Sequence, residues 1–166
     1  MRKKGIIAFA VTAALTIAAD QLVKLWVVSS LAPGESFKLF WGIEIIHVKN
    51  SGAAFGLFSR SGWAIFIVDL VVVIIAIAWL FWSRTARDMG IVVFVGIGLM
   101  VGGALGNMID RVFRGTVVDY FDLHWWPVFN VADVAIVVGV IIVVIAVLLS
   151  MRSDSVNGET ERGKLA

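Results

Sequence analysis

Five aspartates stand at or near the ends of long apolar stretches, where ionisable side chains are costly and usually functional. They are Asp20, Asp69, Asp110, Asp119 and Asp133. When the stretches are threaded alternately through a membrane, all five fall in its outer half or in the loops just beyond it. Several carboxylates gathered at one depth favour a common site over unrelated solvated positions.

Two of these carboxylates, Asp119 and Asp133, can carry out hydrolysis if they face each other. Neighbouring carboxylates do not both ionise easily, so one of them keeps a proton near neutral pH. The ionised member then takes a proton from water, and the protonated member donates to a carbonyl or a leaving amine. Asn50, Asn107 and Arg111 offer donors for a carbonyl or a developing oxyanion. A proton or ion path lined by acids remains the alternative at this point.

Several of the aspartates also have ordinary structural explanations. Asp20 and Lys24 are spaced i, i+4 and can pair along one helix. Asp110 adjoins Arg111 at a predicted helix end, where an arginine complements the C-terminal dipole. Asp133 suits the first turn of a helix for the corresponding reason. A structural role and a role in the site therefore stay open together for these residues.

The composition requires a membrane around these acids. Hydrophobic residues make up 60% of the 166 residues and charged residues 16%, against about 25% charged in an ordinary soluble domain. The net charge of +2 forms no basic patch, so nucleic-acid binding has no support. The absence of cysteine excludes thiolate chemistry and cysteine metal sites, and the two histidines are far apart. We therefore expect no metal and no cofactor.

Four apolar stretches are each close to the ~20 residues that cross a bilayer. Their predicted boundaries are about 6–28, 62–82, 89–109 and 131–151. The predicted fold class is an all-α membrane protein, with a single domain over 1–151 and outer segments at 31–61 and 112–130. The first stretch also resembles a cleaved signal peptide, but it continues beyond a polar pair and three more spans follow. The third stretch is rich in glycine, which predicts close helix packing.

The outer segments carry a second pattern. Apolar residues alternate with their neighbours from Phe37 to Ile45, and this period of two predicts a strand. A strand at the bilayer surface must pair its backbone groups, so we expect a small sheet or hairpin that forms an extracytoplasmic cradle. Trp125 and Trp126, in the other outer segment, are expected to anchor the protein at the interface, with substrate contact as the alternative.

Basic residues indicate the orientation of the spans. The flanking cations on one face are Arg2, Lys3, Lys4, Arg84, Arg87 and Arg152. That face, with both termini, is expected to be cytoplasmic, so the acids lie toward the extracytoplasmic face. The polar tail 152–166 is predicted to be cytoplasmic and disordered.

Five short motifs follow one another between residues 20 and 133. They are DQLVK (20–24), NSGAAF (50–55), GALGNMIDR (103–111), GTVVDY (115–120) and PVFNVAD (127–133). Together and in this order, they resemble the motifs of the lipoprotein signal peptidases, also called signal peptidase II. Any one motif alone would be weakly specific.

The resemblance implies a bacterial inner-membrane aspartic endopeptidase with four transmembrane helices and an outer cradle. Its expected substrates are prolipoproteins whose lipobox cysteine carries diacylglycerol, cut just before that cysteine, and its expected surroundings are membrane lipid. By motif, the catalytic pair falls on Asp119 and Asp133, and Asp110 is expected to have a supporting structural role. The family's other polar site positions match Asp20, Asn50, Asn107, Arg111 and Asn130. We expect the enzyme to be a monomer.

Some features fall outside the family pattern. Tyr120 stands where phenylalanine is common, and Asp69 belongs to no motif, so a neighbouring polar partner is its expected explanation. The outer strand and the stretch Asn50 to Phe58 are expected to clamp the substrate.

A small proton- or ion-coupled transporter subunit is the main rival, and it predicts polar residues through the whole membrane depth. A scaffold subunit is a second rival, which needs no matched aspartates.

Overall fold

The structure is a computed structural model that describes residues 2–52, 62–83 and 90–165. Within these ranges the elements, in chain order, are α1 (Arg2–Ser30), β1 (Ser36–Phe40), β2 (Ile43–Asn50), α2 (Gly62–Trp82), α3 (Ile91–Arg114), β3 (Val117–Asp122) and α4 (Val131–Leu165). Each described helix contains a segment long and apolar enough to cross a membrane. The predicted class, spanning helices with a small β-containing cradle, is confirmed.

Helix α3 is the centre of the bundle, and α1 and α4 pack along two of its faces. Glycines make this close approach possible. A Cβ built at Gly102 would lie 2.8 Å from the backbone oxygen of Ala13 in α1, and one at Gly96 would lie 3.1 Å from the backbone oxygen of Gly139 in α4. Small residues let helices approach closely in lipid, where no hydrophobic effect drives them together. The glycine-rich third stretch is therefore a packing surface, as its composition predicts.

The outer surfaces of the other helices are apolar. Leu15 in α1, Ile74 in α2 and Leu148 in α4 are each more than half exposed. A contiguous apolar surface of this kind is unfavourable in water and suits the hydrocarbon core of a bilayer. The interior of the bundle is occupied by α3, in which 61% of the residues of an 18-residue apolar stretch are buried.

The strands form one antiparallel sheet in the order β1-β2-β3. The period-two pattern from Phe37 to Ile45, which predicts a strand in a small sheet or hairpin, is a hairpin in the structure. Its turn contains Trp41 and Gly42, both with positive φ (47° and 76°), as a two-residue hairpin turn of the type I′ kind requires. Pairing of β2 with β3 then joins the two outer segments into the cradle.

The helix ends differ from the prediction in two places. Helix α3 continues past residue 109 to Arg114, where Gly115 adopts a left-handed conformation (φ 76°) and ends it. Asp110 and Arg111 therefore lie inside the last turns of the helix and not at its end. Helix α4 continues to Leu165, through the tail that its polar composition predicts to be disordered. That tail contains no proline, so every residue in it can donate to a helical hydrogen bond.

Some predictions fall outside the described residues. Arg84 and Arg87, which contribute to the predicted orientation, are among them. So is the part of the proposed substrate clamp that follows Gly52.

The packing predicts the effect of enlarging one glycine. Replacing Gly102 by alanine should lower the free energy of unfolding by about 1–3 kcal/mol, because the new methyl group would meet backbone of α1 that has no rotamer to change. Unfolding of the purified protein in detergent measures this difference. The control is Val92→Ala, at an exposed position of the same helix, which should change little. Equal stability of Gly102→Ala and wild type would contradict the packing argument.

Candidate active site

Asp119 and Asp133 lie on different elements that meet at the cradle end of the bundle. Asp119 is on β3, opposite Val48 of β2, and only 2% of its surface is exposed. Asp133 is in the first turn of α4 and is partly exposed. The negative charge of Asp133 acts on Asp119. The two carboxylates therefore lie within electrostatic range of each other, with one facing protein and one nearer the surface.

Asn130 bridges the two carboxylates. Its side-chain Nδ2 donates to Asp119 Oδ1 at 2.7 Å. Its Oδ1 accepts from the backbone N–H of Asp133 at 3.0 Å, and its own backbone N–H donates to Asp133 Oδ2 at 3.1 Å. The last two bonds form a reciprocal capping box at the start of α4. One residue thus ends the loop, starts the helix and fixes the position of Asp133 relative to Asp119.

Asn50 and Asn107 supply a second amide to each carboxylate. Asn50 Nδ2 donates to Asp119 Oδ2 at 2.7 Å, and Asn107 Nδ2 donates to Asp133 Oδ1 at 2.9 Å. Hydrogen bonds to the ionised form of a carboxylate stabilise that form. Both oxygens of each aspartate therefore accept a hydrogen bond from a neutral N–H donor.

The orientation of each amide is determined by a donor on its oxygen side. The oxygen of Asn50 accepts from the backbone N–H of Gly52 at 2.8 Å. The oxygen of Asn107 accepts from the ammonium of Lys24 at 2.8 Å and from the Asn130 amide at 3.1 Å. An ammonium and a backbone N–H have no acceptor, so the amide groups cannot be flipped without losing these bonds. The N–H sides must face the aspartates.

Lys24 is a buried cation that hydrogen-bonds to this network through Asn107. Its side chain is fully buried, and its Nζ lies 2.8 Å from Asp20 Oδ2 and 3.0 Å from Asp110 Oδ2. With the bond to Asn107, each of its three N–H groups has an acceptor. A buried charge is stable only when it is paired and hydrogen-bonded. Lys24 therefore joins α1 to α3 and holds Asn107 in the orientation that the site needs.

Asp110 connects the same cluster to the cradle. It forms an ion pair with Arg114 one turn later and accepts the backbone N–H of Val118 in β3 at 3.0 Å. Gln21 Nε2 donates to its Oδ1 at 3.3 Å. The supporting structural role expected for Asp110 agrees with this geometry, and its partner is Arg114 and not the adjacent Arg111.

Side chains also satisfy the first backbone donors of α4. The N–H of Val131 donates to the Tyr120 hydroxyl at 3.2 Å, and the N–H of Ala132 donates to Asp20 Oδ1 at 3.1 Å. A buried helix start needs such partners because its first N–H groups have none within the helix. Asp20 thus pairs with Lys24, as its spacing predicts, and also positions the helix that carries Asp133. Tyr120 has a role that phenylalanine would lack.

Arg111 and Asp69 form a separate ion pair, with Nη1 2.5 Å from Oδ2. The neighbouring polar partner expected for Asp69 is therefore on another helix, α3. Sequence analysis did not select Lys24, Gln21 or Tyr120 as site residues. All three lie within the motifs DQLVK and GTVVDY, and the i, i+4 spacing to Asp20 was a further signal for Lys24.

Burial raises the pKa of Asp119 from its ordinary value to about 6. The hydrogen bond from Asn50 lowers this pKa, the charge of Asp133 raises it, and the hydrogen bond from Asn130 lowers it again. A carboxyl group with a pKa in this range can hold a proton close to physiological pH. The arrangement can then activate water with one carboxylate and protonate a substrate with the other.

The side chains of the candidate site lie at one end of the bundle. Asp20, Lys24, Arg111 and the two aspartates lie at the end where the sheet joins the helices. Beyond Asp69, the rest of α2 is apolar. Within the described residues, no three histidine, aspartate or glutamate side chains are arranged to hold a metal ion.

Comparisons with known proteins agree with this architecture. A model of the family described as signal peptidase (SPase) II matches residues 12–149. The chain is 42% identical over 144 residues to a lipoprotein signal peptidase of Syntrophomonas wolfei subsp. wolfei, covering 86% of this chain and 94% of the relative. It is 39% identical over 146 residues to a lipoprotein signal peptidase of Serratia marcescens, covering 85% of each. A bacterial membrane enzyme structure solved by the in meso method is 30% identical with a TM-score of 0.75, covering 86% of this chain and 88% of that one.

The buried ion cluster around Lys24 predicts that replacing this lysine strongly lowers the stability of the protein. Lys24→Met should lower the free energy of unfolding by about 3–5 kcal/mol, because Asp20 and Asp110 would lose their common buried counter-charge. Thermal unfolding in detergent measures the effect. The control is Lys38→Met, at an exposed position of β1.

A second variant tests the cause of that loss. Adding Asp20→Asn to Lys24→Met removes one unpaired carboxylate and should recover part of the stability. A double variant that is no more stable than Lys24→Met would contradict the charge-pairing explanation.

Proposed function

The chain belongs to the signal peptidase II family and is therefore a membrane endopeptidase of the aspartic type, and on this premise we propose that Asp119 and Asp133 are its catalytic pair. The observation that carries the proposal is the bridge made by Asn130, whose contacts to both carboxylates keep them at one site. Asn50 and Asn107 complete the set of amide donors. Asp20 acts through the helix that holds Asp133, and Arg111 lies beside the pair.

The reaction follows from the chemistry of a pair that shares one proton. The ionised carboxylate removes a proton from water, and the water oxygen bonds to the carbonyl carbon of the scissile peptide bond. The protonated carboxylate donates to the carbonyl oxygen, which gives a neutral tetrahedral intermediate. The carboxyl group that took the proton from water then donates it to the amine nitrogen as the carbon–nitrogen bond breaks. The other carboxylate removes a proton from one hydroxyl of the intermediate, so the carbonyl re-forms and the pair again holds one proton. The pair titrates as a unit, so neither aspartate is assigned alone as the base.

The proposed substrates are prolipoproteins whose cysteine already carries diacylglycerol, cut on the N-terminal side of that cysteine. An apolar groove of ≈ 370 Å³ supports this proposal, because it begins at Asp133 and runs along the lipid-facing side of α4. Its walls include Trp125, Trp126, Phe129 and Val137. An apolar substrate segment can lie there while its peptide bond reaches the carboxylates. The two tryptophans then contact substrate as well as the interface.

The same geometry supports an orientation in the membrane. We expect the cradle and the catalytic pair at the extracytoplasmic face of the bacterial inner membrane, with both termini cytoplasmic. A lipid-modified precursor stays in the bilayer, so the bond to be cut lies at the interface, where the site would meet it. One chain supplies both carboxylates and their amide donors, which supports a monomeric enzyme surrounded by membrane lipid.

The transporter alternative receives no support. A path for protons or ions needs polar groups through the depth of the membrane. In the described spans, the halves distant from the cradle carry no acidic side chain. This distribution of the acids supports chemistry at one surface.

Removal of either carboxylate should abolish cleavage. Asp119→Asn and Asp133→Asn should each lower turnover of a lipidated precursor by about 10³-fold or more, because a single carboxyl group cannot both activate water and protonate the substrate. Cleavage by purified protein in detergent is the measurement, with thermal unfolding to verify folding. Asp122→Asn, in the same cradle, is the matched control and should remain active. A metal chelator should leave wild-type turnover unchanged. Substantial turnover by either site variant would refute the catalytic pair.

The hydrogen bonds from amide groups to Asp119 predict the direction in which the pH dependence of kcat/KM shifts when a donor is removed. Since the pKa of Asp119 is about 6, raising the pH through that value removes the shared proton, and kcat/KM of wild type should fall on the alkaline side. Asn50→Ala removes a donor that stabilises the ionised carboxylate. The pKa of Asp119 should then rise, and the alkaline limb should move up by about one pH unit. Ser36→Ala, an exposed change in the same sheet, is the control. A limb that moved to lower pH would contradict this assignment.

A further inference from the structure

Asp69 is the sole ionisable residue of α2, and it forms an ion pair with Arg111 of α3. Both side chains are largely buried, with 18% and 13% of their surfaces exposed. An acid at this depth of a membrane span is costly unless it has a partner or a function. Asp69 matches none of the five sequence motifs, so the motifs leave its presence unexplained.

The ion pair lies beside the proposed catalytic pair. Arg111 follows Asn107 by four residues, so the two side chains are on the same face of α3, one turn apart. Asn107 in turn donates to Asp133. The carboxylate of Asp69 is close enough to Asp133 for their negative charges to repel each other.

The two sides of the catalytic pair therefore carry different charge arrangements. On the α1 side, Lys24 attracts the charge of Asp119 and is itself balanced by Asp20 and Asp110. On the α2 side, Arg111 is balanced by Asp69 alone among the described residues. Without Asp69, a buried guanidinium would add a full positive charge next to the catalytic pair and would favour loss of the proton that the pair shares.

Arg111 also has N–H groups that the Asp69 carboxylate does not occupy. A guanidinium has five N–H groups, and in the described part of the chain Arg111 donates to the Asp69 carboxylate. A guanidinium held on one edge by a carboxylate is fixed in position, and its other edges can donate to a substrate carbonyl or to a developing oxyanion.

We propose that Asp69 is a positioning residue for the reaction, which holds Arg111 beside the catalytic pair and offsets its charge so that the pair retains its shared proton. This inference rests on the proposed catalytic role of Asp119 and Asp133. A simple structural link between α2 and α3 would need the same contact but would leave the pH dependence of the reaction unchanged.

The pH profile of Asp69→Asn tests the charge. Asparagine keeps an oxygen that can accept from Arg111 and removes the negative charge. The alkaline limb of kcat/KM should move to lower pH by about half a unit to one unit, opposite in direction to Asn50→Ala. Asp122→Asn, which removes an acid from the cradle outside the ion pair, is the matched control and should leave the limb where it is in wild type. The precursor-cleavage assay, run across pH on protein whose folding is verified by thermal unfolding, gives this measurement.

A double variant tests charge balance and remains informative if Asp69→Asn alone unfolds. Asp69→Asn combined with Arg111→Gln removes both charges, so the alkaline limb should lie close to the wild-type pH. The kcat should be below that of wild type, because the guanidinium that can donate to the substrate is absent. A limb at the wild-type position in folded Asp69→Asn, or a double variant with the same limb as folded Asp69→Asn, would overturn the inference. If Asp69→Asn unfolds, a folded double variant whose limb departs from the wild-type pH would overturn it.

Failure of this inference is distinguishable from failure of the proposed function. Turnover by Asp119→Asn or Asp133→Asn would remove the catalytic pair itself. Inactive variants at both positions, together with an unshifted limb in Asp69→Asn, would leave the catalytic pair in place and reduce Asp69 to a link between helices.

Discussion

The rest of the site is held in position by the buried ammonium of Lys24 and its hydrogen-bonded partners. It is fully buried, and it is tolerated there because Asp20, Asp110 and Asn107 supply an acceptor for each of its three N–H groups. These partners come from α1 and α3, and Asp20 also accepts the N–H of Ala132 at the start of α4. A single charge thereby sets the relative positions of three helices at the end of the bundle where the cradle begins.

The charge of Lys24 also determines how the amide groups of the asparagines around the carboxylates are oriented. Because Lys24 donates to the oxygen of Asn107, the amide N–H must face Asp133. The amide nitrogen of Asn130 donates both to the Asn107 oxygen and to Asp119, so it also faces a carboxylate. Burial favours the protonated form of Asp119 and the amides favour the ionised form, and their opposition leaves its pKa at about 6. The raised pKa of Asp119 is therefore a consequence of packing and hydrogen bonding together.

The membrane explains why these polar groups are gathered at one end. Apolar faces of α1, α2 and α4 suit contact with lipid, and the buried charges Asp20, Lys24 and Asp110 lie where the helices join the sheet. Hydrolysis needs water, whereas a lipid-modified substrate remains in the bilayer. A site at the boundary satisfies both requirements without removing acyl chains from lipid. The apolar groove beside Asp133 continues this boundary along α4.

The amino-acid sequence predicted the spans, the aspartates at one depth and the motifs of the family, because hydrophobic length and short motifs are local properties of the chain. It did not reveal β3, whose first four residues are all buried and show no alternation, or the end of α3, which depends on the left-handed conformation of Gly115. The tertiary structure alone decided that Arg111 pairs with Asp69, 42 residues away, and that Lys24 orients Asn107, 83 residues away. Such contacts arise from the packing of separate helices, which no periodicity within one segment encodes.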